Sequence, residues 1–452
     1  MAERVDPVPA DVLACIVKAY DIRGRCPDEL NPAAARGIGY AFAVWAGTAQ
    51  LVMARDMRQS GVGLAEAFAA GVQAAGTDVI DIGLASTDLL YFASGQLQVP
   101  GAMLTASHNP AAYNGIKLCG PGAAPVGVGS GLDEIAKRAA QGDSSPRGGG
   151  RRSARDLLDA FAAHVRSFVD VSALAPLRVV ADTANGMGGL VVPAVFGPLP
   201  FEWELLYGEL DGTFPNHPAD PIQLENLADA RQRVVRTGAD VGLAFDGDAD
   251  RVFLIDERGE AVSGSLLTSL VAQAMLARHG PGPVLYNAIC SRAVPEAIAE
   301  AGGQPLRTRV GHSFIKAEMA RTGAVFGGEH SGHYYFADNY RADSGLIAAL
   351  IALERLSAAQ VPLSELLAPL DRYASSGEIN TRVADAAAVL RRVSEHFANC
   401  PQDRLDGLTV DGGDWWFNLR PSNTEPLLRL NLEAPTAEAV AEHTDDIVAL
   451  LA

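Results

Sequence analysis

The chain has 452 residues, too many for one hydrophobic core, so three or four domains are expected. Its 48% apolar content is that of an ordinary globular protein, and its formal charge of -18 argues against nucleic acid or an anionic membrane as the main partner. Its five cysteines are scattered without a C-x-x-C pair, which suggests neither a disulfide framework nor a zinc site.

The N-terminus, MAERVDPVPADV, lacks the basic-then-apolar pattern of a signal peptide, and no run of about 18 apolar residues follows, so a cytoplasmic protein is expected. Near the start, KAYDIRG (18–24) places Tyr20 and Arg23 before a glycine and by itself says little. LVMARDMRQSG (51–61) reads as an apolar strand turning into a helix, and GAMLTASHNPAAYNGIKL (101–118) as strand, polar loop, strand. The Gly-, Ser- and Arg-rich stretch 141–156 has no apolar period and reads as a solvated linker. The same two-part pattern then recurs twice. LRVVADTANGMGG (177–189) precedes GADVGLAFDGDADRVFLI (238–255), and PVLYNAICSRAVPE (283–296) precedes GAVFGGEHSGHYYF (323–336). Strands alternating with helices in three serial units predict three similar α/β domains with mixed, largely parallel sheets. Each offers a loop at a strand end, where ligands of such sheets bind. The tail differs. Residues 407–420 read as two strands around an Asp-Gly-Gly turn, 426–434 as a third, and Thr436 caps a final amphipathic helix, a small α+β domain. The expected divisions are 1–150, 151–257, 258–370 and 371–452.

The loops carry the chemistry. In DGDADR, Asp246, Asp248 and Asp250 alternate on a tight turn and can converge on one hard cation such as magnesium. Arg251 at the sixth position, where an EF-hand needs glycine, and the strand VFLI after it argue against calcium in an EF-hand. TASHNP puts Ser107 at a loop tip beside His108 and Asn109 in the corresponding place of the first repeat. Lys117, after the Asn114-Gly115 turn, can point back at it. In GGEHSGH, Glu329 and Ser331 suit sugar hydroxyls and His333 titrates near neutrality. In RPSNTEP, Arg420 can grip a phosphate bidentately, with Ser422, Asn423 and Thr424 as neutral donors.

These motifs, in this order, resemble the α-D-phosphohexomutase family, most closely its bacterial phosphomannomutase/phosphoglucomutase branch, from about Lys18 to the C-terminus. DGTFPNHPADP (211–221) also looks like a family segment, with a structural part to play. The resemblance implies four domains around a central cleft, the first three of one topology. It implies that Ser107 carries the phosphoryl group, that Asp246, Asp248 and Asp250 bind one Mg2+ with a phosphoserine oxygen as a further ligand, and that Arg251 lies beside the transferring phosphate. Tyr20, Arg23, His108, Lys117 and His312 would surround the reacting group. Arg23, Lys117, His312 and His333 are the candidate proton donors and acceptors. Glu329 and Ser331 would read sugar hydroxyls, and the Arg420 loop would hold the other phosphate. A hexose 1,6-bisphosphate is the implied activator and intermediate. The partner is a small phosphosugar, and the chain is expected as a monomer or homodimer.

The reaction expected is interconversion of mannose 6-phosphate and mannose 1-phosphate, with glucose phosphates as further substrates. Phosphoglucosamine mutase is the alternative, ranked lower because that branch tends to carry Gln where His330 stands. A magnesium-dependent sugar phosphatase is the rival from another class, and a non-catalytic phosphosugar sensor a third. One departure stands out. The family often has Lys before the Cys or Thr of the third strand-end loop, facing the sugar phosphate, and here Ile289 precedes Cys290. Arg292, then Arg309, are the expected substitutes for the missing cation.

Overall fold

The computed structural model describes residues 4–421 and 427–451, with His312 described for its backbone alone. Its described strands form four sheets, one for each expected unit. In the first, Gln50–Arg55 runs parallel to Asp78–Leu84 and to Gly101–Leu104, and Gly101–Leu104 turns back antiparallel into Tyr113–Gly120. The second repeats the plan. Arg178–Asp182 lies parallel to Val241–Phe245, which turns back into Val252–Ile255. The third does so again, with Pro283–Asn287 parallel to Phe326–Gly328 and the hairpin closed by Tyr334–Phe336. In these three sheets each chemical motif is therefore the loop of an antiparallel hairpin, and the first two carry further antiparallel strands at that edge, Ile22–Arg25 beside Tyr113–Gly120 and Ala261–Val262 beside Val252–Ile255. The inner strands Gly101–Leu104, Val241–Phe245 and Phe326–Gly328 are buried throughout. They read as unbroken apolar or small-residue runs because both faces of the sheet are covered by helices.

The stretch 141–156 is not a bare linker. Arg152–Ala154 adds a parallel strand to the first sheet beside Asp78–Leu84. Arg152 holds it there, its guanidinium 2.7 Å from Glu66 and 2.6 Å from Asp81. The strand is exposed on all three residues, so no alternation of apolar and polar side chains marks it in the sequence.

The tail is an antiparallel sheet in which Ala374–Arg382, Leu427–Ala434, Trp416–Pro421 and Leu408–Asp411 lie side by side. The final helix, Ala437–Leu451, packs on it, with Thr436 Oγ1 accepting from Ala439 N at 3.2 Å. One apolar core runs through the first three units, from Val52 and Met103 through Phe161 and Val191 to Leu270 and Leu350. The tail has a separate core around Val393, Phe417, Leu430 and Ile447. Three α/β units thus share their burial, and the fourth docks on them.

Candidate functional site

Ser107 sits where the first hairpin turns, with φ at +51°, a left-handed conformation unusual for a side-chain-bearing residue. Such a conformation costs on the order of 1–3 kcal/mol and persists only where its surroundings hold it. Here Ser107 N donates to Thr105 Oγ1 at 2.9 Å. The fully buried Arg58 donates to the carbonyls of Ser107 and Asn109 at 2.7 Å each, Pro110 at 2.9 Å and Tyr113 at 3.0 Å. The serine hydroxyl then points across to the second unit and donates to Asp246 Oδ2 at 2.7 Å. The two loops touch: a Cβ on Gly247 would lie 2.4 Å from the Ser107 carbonyl, so only glycine allows this approach.

Asp246, Asp248 and Asp250 are buried to 1% exposure or less, and an oxygen from each lies within 4.8 Å of the others. Two cations answer three carboxylates. Lys117 Nζ is 2.7 Å from both Asp248 Oδ2 and Asp250 Oδ2, and Arg251 Nε is 3.0 Å from Asp246 Oδ2. One negative charge is left over, and the buried Oδ1 atoms of Asp248 and Asp250 have no hydrogen-bond partner. Burial accordingly pushes Asp246 up to about 7 and raises Asp250. Burial works the same way on Asp248, but Lys117 overrides it and holds that carboxyl below its usual range. Unpaired oxygens and surplus negative charge fit a divalent cation bound through carboxylates. The three aspartates offer oxygen donors alone, which suits a hard cation, and Asp250 also belongs to a second group with His333 and Asp343 that could hold an ion.

The third hairpin joins at His333, whose Nδ1 is 2.8 Å from Asp343 Oδ2 and 3.9 Å from Asp250 Oδ1. Burial lowers the imidazole, but Asp250 and Asp343 outweigh it and raise its pKa above the usual value. Asp343 is held on its other side by Lys316 at 3.1 Å, and that ammonium lies 3.6 Å over the Tyr91 ring. His108 Nδ1 is 3.3 Å from Ser107 Oγ. Burial, then Arg251 and Arg23, hold its pKa well below the usual value, so it is neutral. Arg23 pairs with Asp21 and with the Asn109 side chain of the serine loop. Tyr20 donates to Val310 O at 3.3 Å, which ties the first unit to the segment preceding His312. The structure thus brings Ser107, His108, Lys117, Arg23, the three aspartates, Arg251 and His333 together. The side chain of His312 lies outside the described residues.

Three expectations need correction or narrowing. Glu329 is 1% exposed and its carboxylate is already used, accepting from Gly311 N at 2.9 Å, Asn287 Nδ2 at 3.1 Å and Tyr335 OH at 2.7 Å. These bonds fix the carboxylate within the loop, and the expected contact with a sugar hydroxyl would add to them; Ser331, half-buried, keeps its place at the loop tip. Arg292 does not replace the missing lysine. Its guanidinium reaches the tail, 2.6 Å from both Gly413 O and Asp411 Oδ1, and its backbone N–H donates to Glu433. Arg309 is exposed and stacks over Phe314 at 4.3 Å. Ile289 lines a cavity of about 470 Å3 together with His330 and Glu378. Glu378 is shared by Arg420 at 3.3 Å and by Arg429 at 3.2 Å, which face each other across the tail hairpin. The Nε atoms of both arginines are buried without a partner. Ser422, Asn423 and Thr424 lie outside the described residues.

Sequence reasoning missed Arg58, Asp343, Lys316 and Arg429. Arg58 and Arg429 stand inside segments already singled out, 51–61 and 426–434, but an arginine after a strand or on one reads as a surface residue.

Known proteins place this arrangement. Four family descriptions match in series: phosphoglucomutase/phosphomannomutase alpha/beta/alpha domains I, II and III over residues 15–145, 158–259 and 263–373, and the C-terminal domain over 378–450. A phosphomannomutase of Salmonella montevideo is 40% identical over 97% of this chain and 99% of its own length. The phosphohexose mutases of Xanthomonas campestris pv. campestris are 42% identical over 96% of this chain and 98% of theirs. A crystal structure of a phosphoglucomutase/phosphomannomutase family protein from Burkholderia thailandensis superimposes with a TM-score of 0.87 at 33% identity, covering 96% of each chain. The four matches follow one another along the chain as the four sheets do, and the chain belongs to the phosphoglucomutase/phosphomannomutase family.

Proposed function

We propose that this phosphohexomutase is a phosphomannomutase, interconverting mannose 6-phosphate and mannose 1-phosphate through a phosphoserine on Ser107 and a hexose 1,6-bisphosphate, with glucose phosphates as further substrates. The observation that carries the reading is the Ser107 hydroxyl donating at 2.7 Å into a buried aspartate cluster with surplus negative charge. The relatives named phosphomannomutase support the choice of sugar.

Magnesium is the cation that suits three carboxylates plus a phosphate oxygen on Ser107, and when bound it supplies positive charge against the phosphate dianion. The chain does the rest. Phosphoryl transfer has a loose transition state, so positioning and charge stabilisation dominate. Lys117 and Arg251 stay charged beside the transferring group. A sugar hydroxyl attacks the phosphorus and gives up its proton to a base, the bond to Ser107 Oγ breaks, and the departing Oγ takes up a proton to become the free hydroxyl that donates to Asp246. His333 is the residue assigned to proton transfer: Nδ1 is fixed on Asp343, so Nε2 carries the exchangeable proton. Lys117 is less suited, because Asp248 and Asp250 hold it in the charged form. Arg420 and Arg429 hold the non-reacting phosphate, exchanging Glu378 for it. The bisphosphate then turns end for end and returns its other phosphate to Ser107. We place the domain divisions near 370, beyond Ala154 rather than at 150, because Arg152–Ala154 belongs to the first sheet, and beyond Val262 rather than at 257, because Ala261–Val262 belongs to the second. Among the described residues no helix is long and apolar enough to cross a membrane.

Coupled assays with mannose, glucose and N-acetylglucosamine phosphates test the reading. Mannose 1-phosphate is expected to turn over with the highest kcat/KM. Preference for the glucosamine phosphate favours the glucosamine branch, and inorganic phosphate as the main product favours a phosphatase.

A further inference from the structure

Arg58 gives none of its hydrogen bonds to the aspartate cluster, yet all of its guanidinium donors are in use. Nε donates to Asp56 Oδ2 at 3.1 Å, Nη1 to two carbonyls and Nη2 to two more, all four in the serine hairpin at Ser107, Asn109, Pro110 and Tyr113. The side chain is 1% exposed, and the carboxylate it pairs with, Asp56, is fully buried. A planar fork with five donors is what this set of acceptors demands, and no other side chain supplies it. Arg58 is in turn enclosed by the second unit. The Phe214 ring lies 5.1 Å from its guanidinium carbon, and a Cβ on Gly212 would come within 2.5 Å of its Cα. Both belong to the segment 211–221. The far end of that segment reaches the other loop, with Asp220 Oδ1 3.4 Å from Arg251 Nη2, and Arg251 holds Asp246. Its middle is anchored on the second sheet by Asn216 to Asn185 and by His217 to Asp182.

We propose that Arg58 is a positioning residue for Ser107, and that the segment 211–221 sets the spacing between the serine loop and the aspartate loop by bracing Arg58 at one end and Arg251 at the other. The left-handed turn at Ser107 is held by the Arg58 fork on its carbonyl side. Without the fork the hydroxyl has no reason to stay 2.7 Å from Asp246. The segment makes the geometry a property of two domains rather than one, so a change in the second domain reaches the nucleophile of the first. This rests on the reading of Ser107 as the phosphoryl carrier.

The test uses the dephosphorylated full-length enzyme with magnesium and labelled glucose 1,6-bisphosphate, following label on Ser107, together with kcat and KM. Arg58→Lys keeps the charge but has three donors. Labelling rate and kcat are expected to fall about 100-fold, the loss typical of a misplaced reacting group, with KM for mannose 1-phosphate within about threefold of wild type. Gly212→Ala leaves Arg58 intact and pushes the brace off it, with a fall in labelling rate of about tenfold expected by the same argument. It carries the test alone if Arg58→Lys does not fold. Rates are expressed per folded molecule, so simple destabilisation lowers yield without moving them. Folded variants that label Ser107 at the wild-type rate overturn the inference. Absence of label on Ser107 in the wild type overturns the underlying reading instead.

Discussion

Lys117 places its ammonium 2.7 Å from two of the three aspartates, where a bound dication would share the same oxygens. The two cations compete for charge but not for role: the lysine is tethered, and only the metal can bring a phosphate oxygen into its coordination shell. Lys117→Met is therefore expected to tighten magnesium binding, measured by calorimetry, while lowering kcat about 100-fold or more through lost charge stabilisation. Weaker magnesium binding with unchanged turnover would show that the lysine builds the site rather than serving the phosphate. At this scale the sequence was legible where function is local. DGDADR carries its three candidate ligands within five positions, and Ser107 stands at the tip of a repeated loop. It was illegible where partners are distant. Nothing near Arg58 announces acceptors about fifty positions away, and Asp343 shows its purpose only when the third hairpin folds His333 onto it. The hydrogen bonds that Gly311 N and Tyr335 OH make to Glu329 were likewise not legible, because they form only when the loop folds.

Hairpins are the working elements, and the tail hairpin makes the clearest claim. Arg420 and Arg429 are register partners on Trp416–Pro421 and Leu427–Ala434, both leaning on Glu378. If this pair grips the remote phosphate, its binding energy also orients the reacting end. Arg420→Ala should then raise KM for mannose 1-phosphate at least about tenfold and lower kcat as well, as steady-state kinetics will show. Unchanged kinetics would make the loop a plain turn. The segment 211–221 gives a pH-dependent counterpart. His217 is pulled down by burial, but its hydrogen bond and charge pairing with Asp182 raise it overall above 6.5. Its stabilising contribution is thus full below pH 6.5 and is lost as pH rises through the folded value. The stability difference between wild type and His217→Gln, read from urea midpoints, should be larger at pH 6 than at pH 8.5. Equal differences would deny the ion pair. The repeated hairpins were visible in the sequence because buried parallel strands leave apolar runs. The strand Arg152–Ala154 was not, since an exposed edge held by Arg152 leaves no periodic trace.

Across the whole molecule, burial is divided unequally. One core joins the three α/β units, which fixes the serine, aspartate and histidine loops relative to one another. The tail keeps its own core and meets the third unit through polar pairs such as Arg292 with Asp411, Arg307 with Asp403, and Val310 N with Asp406. Polar docking is cheaper to open than apolar docking, so the tail, where we propose that the remote phosphate binds, is suited to move while the proposed bisphosphate turns. Arg292, expected from the sequence as a phosphate ligand, serves this docking instead. That outcome follows from the tail's acidic hairpin, whose position relative to the third unit no local pattern reveals. The central claim is that one phosphoryl group travels through Ser107. Enzyme incubated with magnesium and labelled glucose 1,6-bisphosphate, then freed of it and given unlabelled mannose 1-phosphate, tests this directly. The account predicts label on the peptide containing Ser107, its chase into hexose phosphate, and loss of both together with at least about a thousandfold of turnover in Ser107→Ala. Label on another residue, label that does not chase, or a Ser107→Ala enzyme with near-normal turnover would contradict it.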